Sequence, residues 1–563
     1  MRTRRSANTG ADGAIAQPPS RRRELVLVFA AVFVASSLWA LASPLMSVPD
    51  EPAHATKAAA IWDGWWRGTR VVYPKAPGDD AAPVTFRVRT TESYASANKI
   101  FMCYALQPAV TADCAPKLSS SDRMVRIETS AGSYPPLYYA LVGWPSKLVS
   151  ANVGLYLMRL VSAALCAAMF TLGYAALRRV TSSAVAAIAV IVAATPEVLF
   201  LAGSVNPNSL EIAAAFAMWG TALALALTWS REQPVDRRLV AGLLVSTTFM
   251  AHSRTLSPLF AVIVLGLVAL FAGRARLMDL ARDKRFWAVA VVTGALIASA
   301  MIWIISAGHL DSITGGRTAP GHNVLVTLVA LSDNWFSEMI AYFGWLDAGP
   351  VALAIWIWLA LVVLVVALAA GTGRAWRSTV LLLTVAAVVV GPIVLQYPSA
   401  KAGHIIWQGR YILPIAMGVP VLAAVTLDTS QLSRRLGARV LTAIAAFATV
   451  AMVASHMSAM RRYVVGVEGP VNYLSGGAWS PPLPALLLLA LTVAVGSSVT
   501  VLVNRIAPSA FGGQDVPPPS LVGDPPSVET SVGSHAEPSD GADEPIDMRN
   551  PREADTAMSL DKT

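Results

Sequence analysis

Charge is scarce in this chain: of 563 residues only 14% are Asp, Glu, Lys or Arg, whereas 55% are hydrophobic. Soluble domains carry about a quarter charged residues, so a water-soluble fold is excluded as the overall class. Cysteine occurs three times and histidine seven times, too few for a disulfide-dense scaffold or a Cys/His zinc framework. No Walker motif, dinucleotide fingerprint, His-Glu-x-x-His motif or serine elbow occurs. ATP-driven transport and zinc proteolysis therefore lack their usual signatures.

What is abundant is apolar sequence in long runs, among them Leu25 to Leu41, Val240 to Met250, Val351 to Leu368 and Leu483 to Val503. A run of about 20 apolar residues crosses the hydrocarbon as a helix that satisfies its own backbone. The runs predict an all-α polytopic membrane protein of about twelve spans, placed near 24–43, 154–177, 184–203, 209–229, 238–252, 256–273, 286–306, 350–370, 378–395, 410–427, 438–456 and 483–504. The short pair 238–252 and 256–273, split by Ser253-Arg254-Thr255, also fits one broken or re-entrant helix.

The formal charge of +9 is placed by topology. Arg4, Arg5 and Arg21 to Arg23 precede the first span, and Arg178 and Arg179, Arg231 to Arg238, Arg274 to Arg285, Arg374 and Arg377, and Arg434 to Arg439 fall in alternate connections. The positive-inside rule puts these in the cytoplasm and both termini with them, in a bacterial plasma membrane, and no nucleic-acid partner is expected. Arg21 to Arg23 before an apolar run has the look of a signal peptide, but no small-residue cleavage site follows where one is expected, so the run reads as a retained anchor. Residues 1–23 read as a disordered basic cytoplasmic N-terminus, 24–504 as the transmembrane domain and 505–563 as a disordered acidic cytoplasmic tail, too polar to bury a core.

Residues 44–153 form a large first extracytoplasmic loop, and its mixed composition predicts a small ordered subdomain. Val48 to Trp66 can form a short helix lying along the membrane, and Val84 to Val88 alternates as a strand does. Cys103 and Cys114, 11 residues apart in this loop, are candidates for a disulfide, and Cys166 falls inside a span.

Chemistry concentrates in Pro49-Asp50-Glu51-Pro52-Ala53-His54, directly after the first span. On a helix begun by Asp50 or Glu51, His54 falls on the same face as both acids. Asp50, Glu51 and His54 are thus candidates for a general base with an orienting partner, or Asp50 and Glu51 for a divalent-metal site; plain helix capping is the competing reading. Arg159, Arg254 and Arg410 could clamp a lipid phosphate, or snorkel and pair internally. Asn206 and Asn208, which line the turn between the third and fourth spans, could complete such a substrate-binding site. Trp335, Trp345 and Asp347 could face a sugar, and Tyr138, Gln408 and Tyr411 are further candidates for substrate binding, or the aromatics could form an interfacial belt. His309, Asp311 and His322 follow no metal-ligand spacing.

Five ordered motifs, Val48-Pro49-Asp50-Glu51-Pro52-Ala53-His54, Tyr134-Pro135-Pro136-Leu137-Tyr138-Tyr139, Asn206-Pro207-Asn208-Ser209, Phe343-Gly344-Trp345-Leu346-Asp347 and Gln408-Gly409-Arg410-Tyr411-Ile412-Leu413-Pro414, resemble the domain-of-unknown-function 2142 family of bacterial membrane proteins. That family is similar to the membrane-embedded glycosyltransferases of the C-type fold (GT-C). The resemblance implies a GT-C-like fold and a polyprenyl-phosphate sugar donor. It also implies an envelope glycan or lipid acceptor, and an acidic base or metal support at Asp50 and Glu51, with Mg or Mn as the ion where one is used. A transporter or flippase for a lipid-linked precursor is the alternative, and an assembly protein whose loop docks partners is the third. The sequence leaves the oligomeric state open.

Overall fold

The computed structural model describes residues 20–74, 84–308, 317–318 and 323–511. Residues 1–19 of the basic N-terminus, 512–563 of the acidic tail, and His309, Asp311 and His322 lie outside the described residues. The chain divides into Met1–Asp515 and a second unit, Val516–Thr563, wholly outside them.

Each predicted span contains helix. The order is α1 (Arg21–Ala42), α2 (Glu51–Trp62), α3 (Glu92–Ser96), α4 (Leu137–Val142), α5 (Ala151–Leu177), α6 (Ser183–Ala193), α7 (Pro196–Ala202), α8 (Pro207–Thr228), α9 (Arg237–Ala251) and α10 (Ser257–Ala272). There follow α11 (Arg274–Ala281), α12 (Lys284–Ser306), α13 (Val324–Ile340), α14 (Ala352–Thr372), α15 (Ala375–Lys401), α16 (Leu413–Ala416), α17 (Gly418–Thr426), α18 (Arg434–Val465) and α19 (Ala485–Ile506). Among the described residues nine helices are long and apolar enough to cross a membrane, or up to 11 if two bent pairs each count as one span. This range lies just below the expected figure of about twelve. The predicted span 184–203 is broken into α6 and α7 by a 77° bend, and α10 meets α11 at 109°. Pro196 explains the first break, because proline lacks the N–H that a continuous helix needs. With 15 residues α9 falls short of a span, while α13 is a helix that the hydropathy pattern did not predict.

The bundle is built around α8, whose side chains are buried over nearly its whole length between α5, α9 and α10. Gly173 of α5 and Gly220 of α8 permit the close crossing: a Cβ on Gly220 would lie 3.0 Å from the Gly173 carbonyl, and one on Gly173 would lie 2.5 Å from Phe216. Small residues at such crossings let apolar helices gain dispersion energy where no hydrophobic drive exists between them. The basic connections gather at one end. Arg178 donates to Glu24 at 3.0 Å, Arg179 pairs with Asp236 at 2.8 Å, and Arg285 reaches the carbonyls of Ser230, Arg231 and Gln233.

At the other end, residues 44–74 and 84–150 fold as a subdomain against the helices. Its three-stranded antiparallel sheet, β1 (Thr69–Val72), β2 (Val84–Thr91) and β3 (Met124–Thr129), runs in the order β1-β2-β3. Along β2, Phe86, Val88 and Thr90 are buried while Arg87 and Arg89 are exposed, the two-residue alternation of a half-buried strand. Two-residue strands β4 (Arg317–Thr318) and β5 (His404–Ile405) also pair. Cys103 and Cys114 are joined by a disulfide, and Cys166 is a buried free thiol. The alanine-rich α2 was expected to lie along the membrane. It is instead packed against α4 and the sheet, with most of its side chains buried, Glu51, His54 and Lys57 included.

Candidate active site

The chain leaves α1 and reverses at Asp50, which takes a left-handed backbone, φ 67°, to start α2. Such a conformation is sparsely populated by side-chain-bearing residues, and strain of this kind clusters at functional sites. Asp50 sits at the N-cap position, yet its carboxylate makes no capping bond and turns to the Arg410 guanidinium. The expected capping by Asp50 is thus replaced by an ion pair. The Asp50 side chain is 44% exposed and that of Arg410 4%. Burial in a recess pushes the Asp50 carboxyl up, but the nearby charges of Arg410, His54 and Arg254 outweigh it and hold the group below its ordinary value.

Arg410 is presented by a 3-10 turn, Gly409–Ile412, that docks on α13. A Cβ on Gly409 would lie 1.9 Å from the Trp335 carbonyl, so only glycine permits this approach, and the Gly409 N–H donates to Glu338 at 2.6 Å. Gln396 of α15 fixes the approach to the turn: its amide donates to the His404 carbonyl, and its oxygen accepts from the N–H groups of Ile406 and Trp407. Arg254, in the break between α9 and α10, lies over the Tyr411 ring at 4.3 Å from its centroid. Behind it, the Ser257 hydroxyl accepts from the Arg254 N–H and donates to Glu211 at 2.6 Å, while Asn208 donates to the other Glu211 oxygen at 2.8 Å.

Tyr134 hydrogen-bonds Arg254 and meets His54 edge-on, with ring centroids 5.5 Å apart. The Tyr139 hydroxyl lies 2.9 Å from His54 Nδ1. Burial, with the neighbouring tyrosines, pushes that hydroxyl well above its ordinary pKa, so it stays neutral. Tyr411 also lines a cavity of about 540 Å³ between α13 and residues 405–411, together with Trp335, Glu338, Tyr342 and Gln408.

The structure therefore brings Asp50, His54, Arg254, Arg410 and Tyr411 together, and sets Gln408 and Trp335 in the adjoining cavity. It places other expected site residues elsewhere. Glu51 and Arg159 are both fully buried and form a two-pronged pair with N–O distances of 2.7 and 2.6 Å. Arg159 also donates to the carbonyls of Ala40, Ser43 and Pro44, so it locks the exit of α1 to α5 and has no surface to offer a substrate. Asn206 holds the Pro49 carbonyl and caps α8, and Tyr138 bonds Ser162 in the core. Asp347, whose side chain is 5% exposed, pairs with Arg462 at 2.8 Å. Trp345 stacks on Phe101 with centroids 4.4 Å apart. These residues carry architecture where substrate contact was expected.

Sequence reasoning passed over Tyr134 and Tyr139 as actors although it quoted their motif, and it missed Glu197, Glu211, Glu338 and Arg462. The available signal was that Glu197 and Glu211 each stand alone within an apolar segment, where ionisable groups are costly. A shared metal site at Asp50 and Glu51 does not fit the donor set. The two carboxylates point to different arginines, Val205 N–H and Arg159 occupy Glu51, and among the described residues no three His, Cys, Asp or Glu side chains form a metal-holding group.

Fold and site together define a polytopic, mostly helical membrane protein with an ionised Asp–Arg centre under a small mixed subdomain. The chain belongs to the family described as "Predicted membrane protein (DUF2142)", whose model matches residues 33–419. That stretch contains Asp50, Arg254 and Arg410 and stops before α18. Among solved structures the chain is similar to ArnT from Cupriavidus metallidurans in the apo state, at 12% identity over 87% of this chain and 78% of that one, with a TM-score of 0.42. It is also similar to ArnT from the same organism bound to undecaprenyl phosphate, at 13% identity over 86% and 76%, with a TM-score of 0.40. No curated protein matches the sequence.

Proposed function

We propose that this protein is a GT-C-like membrane glycosyltransferase that moves a sugar from a polyprenyl-phosphate carrier to an envelope glycan or lipid acceptor, on the extracytoplasmic face of a bacterial plasma membrane. The observation that carries the reading is the convergence of a half-exposed, ionised carboxylate, Asp50, with two arginines, Arg254 and Arg410, beside an aromatic-lined cavity. Guanidinium groups suit a phosphate, aromatic faces suit a sugar, and an ionised acid suits proton removal. The clustering of basic connections at the opposite end supports a cytoplasmic placement of that end and of both termini. Convergence of the charged groups at one end of the bundle supports transfer over transport, which needs a site reachable from both sides.

The acceptor hydroxyl gives its proton to Asp50 as its oxygen attacks the anomeric carbon. The bond from that carbon to the phosphate oxygen breaks, and the polyprenyl phosphate leaves with the electron pair. Arg254, held in place by Tyr411, meets the charge that grows on the phosphate, and Arg410 sets the state of Asp50. His54, bonded to Tyr139, sits within reach of Asp50's charge and tunes it. Attack from the face opposite the phosphate inverts the anomeric centre. The test is incubation of the purified protein with polyprenyl-phosphate sugars and envelope acceptors. Product should form with the wild type and be lost in Asp50→Asn at unchanged membrane abundance; full transfer by that variant would sink the assignment.

A further inference from the structure

Glu197 lies on α7, just past the bend from α6, with 3% of its surface exposed. Its Oε2 is buried and has no hydrogen-bond partner among the described residues. Arg410, 3% exposed, spends Nη2 on Asp50, while its Nε is buried and likewise without a partner among the described residues. The segments that carry the two groups meet on α13: the Thr195 hydroxyl, two residues before Glu197, donates to the Met339 carbonyl at 3.0 Å, and Glu338, next to Met339, accepts from the N–H of Gly409, the residue before Arg410. A single guanidinium with an idle N–H is thus bound to one carboxylate and has a second, unpartnered one in the neighbouring segment. Asp50 is engaged and open to the recess; Glu197 is idle and enclosed. A buried donor and a buried acceptor left unmade each carry a desolvation cost, and a turn of the guanidinium toward Glu197 removes both at once.

We propose that Glu197 is the second partner of Arg410, and that the guanidinium passes from Asp50 to Glu197 when substrate enters the recess. The purpose of the exchange rests on the transfer reaction proposed above, but the ion-pair chemistry does not. While Arg410 sits on Asp50, the carboxylate is held and is a poor acceptor of a proton. With Arg410 on Glu197, Asp50 is free to take the proton of an incoming hydroxyl, and the buried cation is never left unpaired. No covalent bond changes in the exchange. Glu197 touches no reacting atom and is a positioning residue that acts through Arg410.

The deciding measurement is thermal unfolding of the purified protein, which needs no substrate. Asp50→Asn leaves Arg410 with Glu197, and Glu197→Gln leaves it with Asp50, so each should shift Tm little. The double variant strands a buried cation, and its Tm should fall by several degrees beyond the sum of the single shifts. Adding Arg410→Met to the double variant should recover that loss. Where the double variant does not accumulate, recovery of abundance by the triple variant gives the same answer, and failure of the triple to accumulate overturns the proposal by assigning the loss to shape at positions 50 and 197. Additive Tm shifts overturn it as well. The activity arm reads transfer: Glu197→Gln should lower kcat about tenfold and move the pH profile, with Glu197→Asp restoring part of it. An unchanged kcat and profile in Glu197→Gln would refute the exchange. A wild type without transfer activity but with the Tm synergy would remove the glycosyltransferase reading and leave the two-partner arginine standing.

Discussion

Glu51 and Arg159, 108 positions apart in sequence, meet in a two-pronged ion pair with no exposed side-chain surface, although Asp50, the immediate neighbour of Glu51, turns the other way to Arg410. The reversal at Asp50 sends adjacent acids to opposite duties, one structural and one open to chemistry. The same device recurs at Arg462, which grips the carbonyls of Tyr104, Gln107 and Val110 and pairs with Asp347. Two buried arginines thus staple the first extracytoplasmic segment to α5 and α18.

Glu51→Gln leaves the Arg159 cation buried with a neutral partner. Loss of one member of a buried pair costs about 3–5 kcal/mol, so abundance and Tm should both fall. Combined Glu51→Gln and Arg159→Met should cost less than the sum of the singles. Transfer activity per folded molecule should hold, which separates this residue from Asp50; an Asp50-like loss of activity in well-folded Glu51→Gln protein would contradict the structural role.

The carboxyl of Asp50 is held below its ordinary value chiefly because Arg410 outweighs the effect of burial. It is therefore ionised throughout the neutral range, and the acid limb of kcat/KM should lie below about pH 4, the ordinary carboxylate range. Arg410→Met removes the leading stabilising charge, so the limb should move to higher pH while the rate falls. An acid limb that stays put in this variant would detach Asp50 from the profile.

Lys57 is fully buried in α2, where its ammonium donates to the carbonyls of Trp66 at 2.7 Å and Gly132 at 2.9 Å. Burial lowers its pKa to about 7 from an ordinary 10.5. Between these values the unfolded chain binds a proton that the folded chain does not, so folding gains stability as pH rises from about 7 toward 10.5, and the full penalty applies below 7. The Tm of the wild type minus that of Lys57→Met should climb across this window. Parallel Tm curves would show that Lys57 keeps an ordinary pKa.

The Cys103–Cys114 bridge closes a loop with a sequence separation of 11, and Arg462 grips the backbone inside it. Chain-entropy arguments give such a bridge about 3 kcal/mol. Cys103→Ser should lower Tm and raise amide exchange at residues 104–112 first, before the helices respond. Uniform loosening of the whole protein would argue against a local staple.

The class of the protein was legible in its sequence because apolar runs of membrane length leave the backbone one solution, and because the alternation of Arg-rich connections separates the two ends. The start of a helix at Asp50-Glu51, the subdomain strand at 84–88 and the grouping of Asp50, Arg254 and Arg410 were legible too, each from residue type in local context. Tertiary structure decided which side chains are spent. Glu51, Arg159 and Asp347 carry the same charges as the groups kept for the site, and nothing in their spacing says that each finds a partner more than a hundred positions away. The bend at Thr195-Pro196, which carries Glu197 toward Arg410, and the docking of Gly409 on the Trp335 carbonyl depend on packing between segments far apart in the chain. A membrane chain advertises its spans through local hydropathy. Its ion pairs form across the bundle, where only the assembled fold sets which charge meets which.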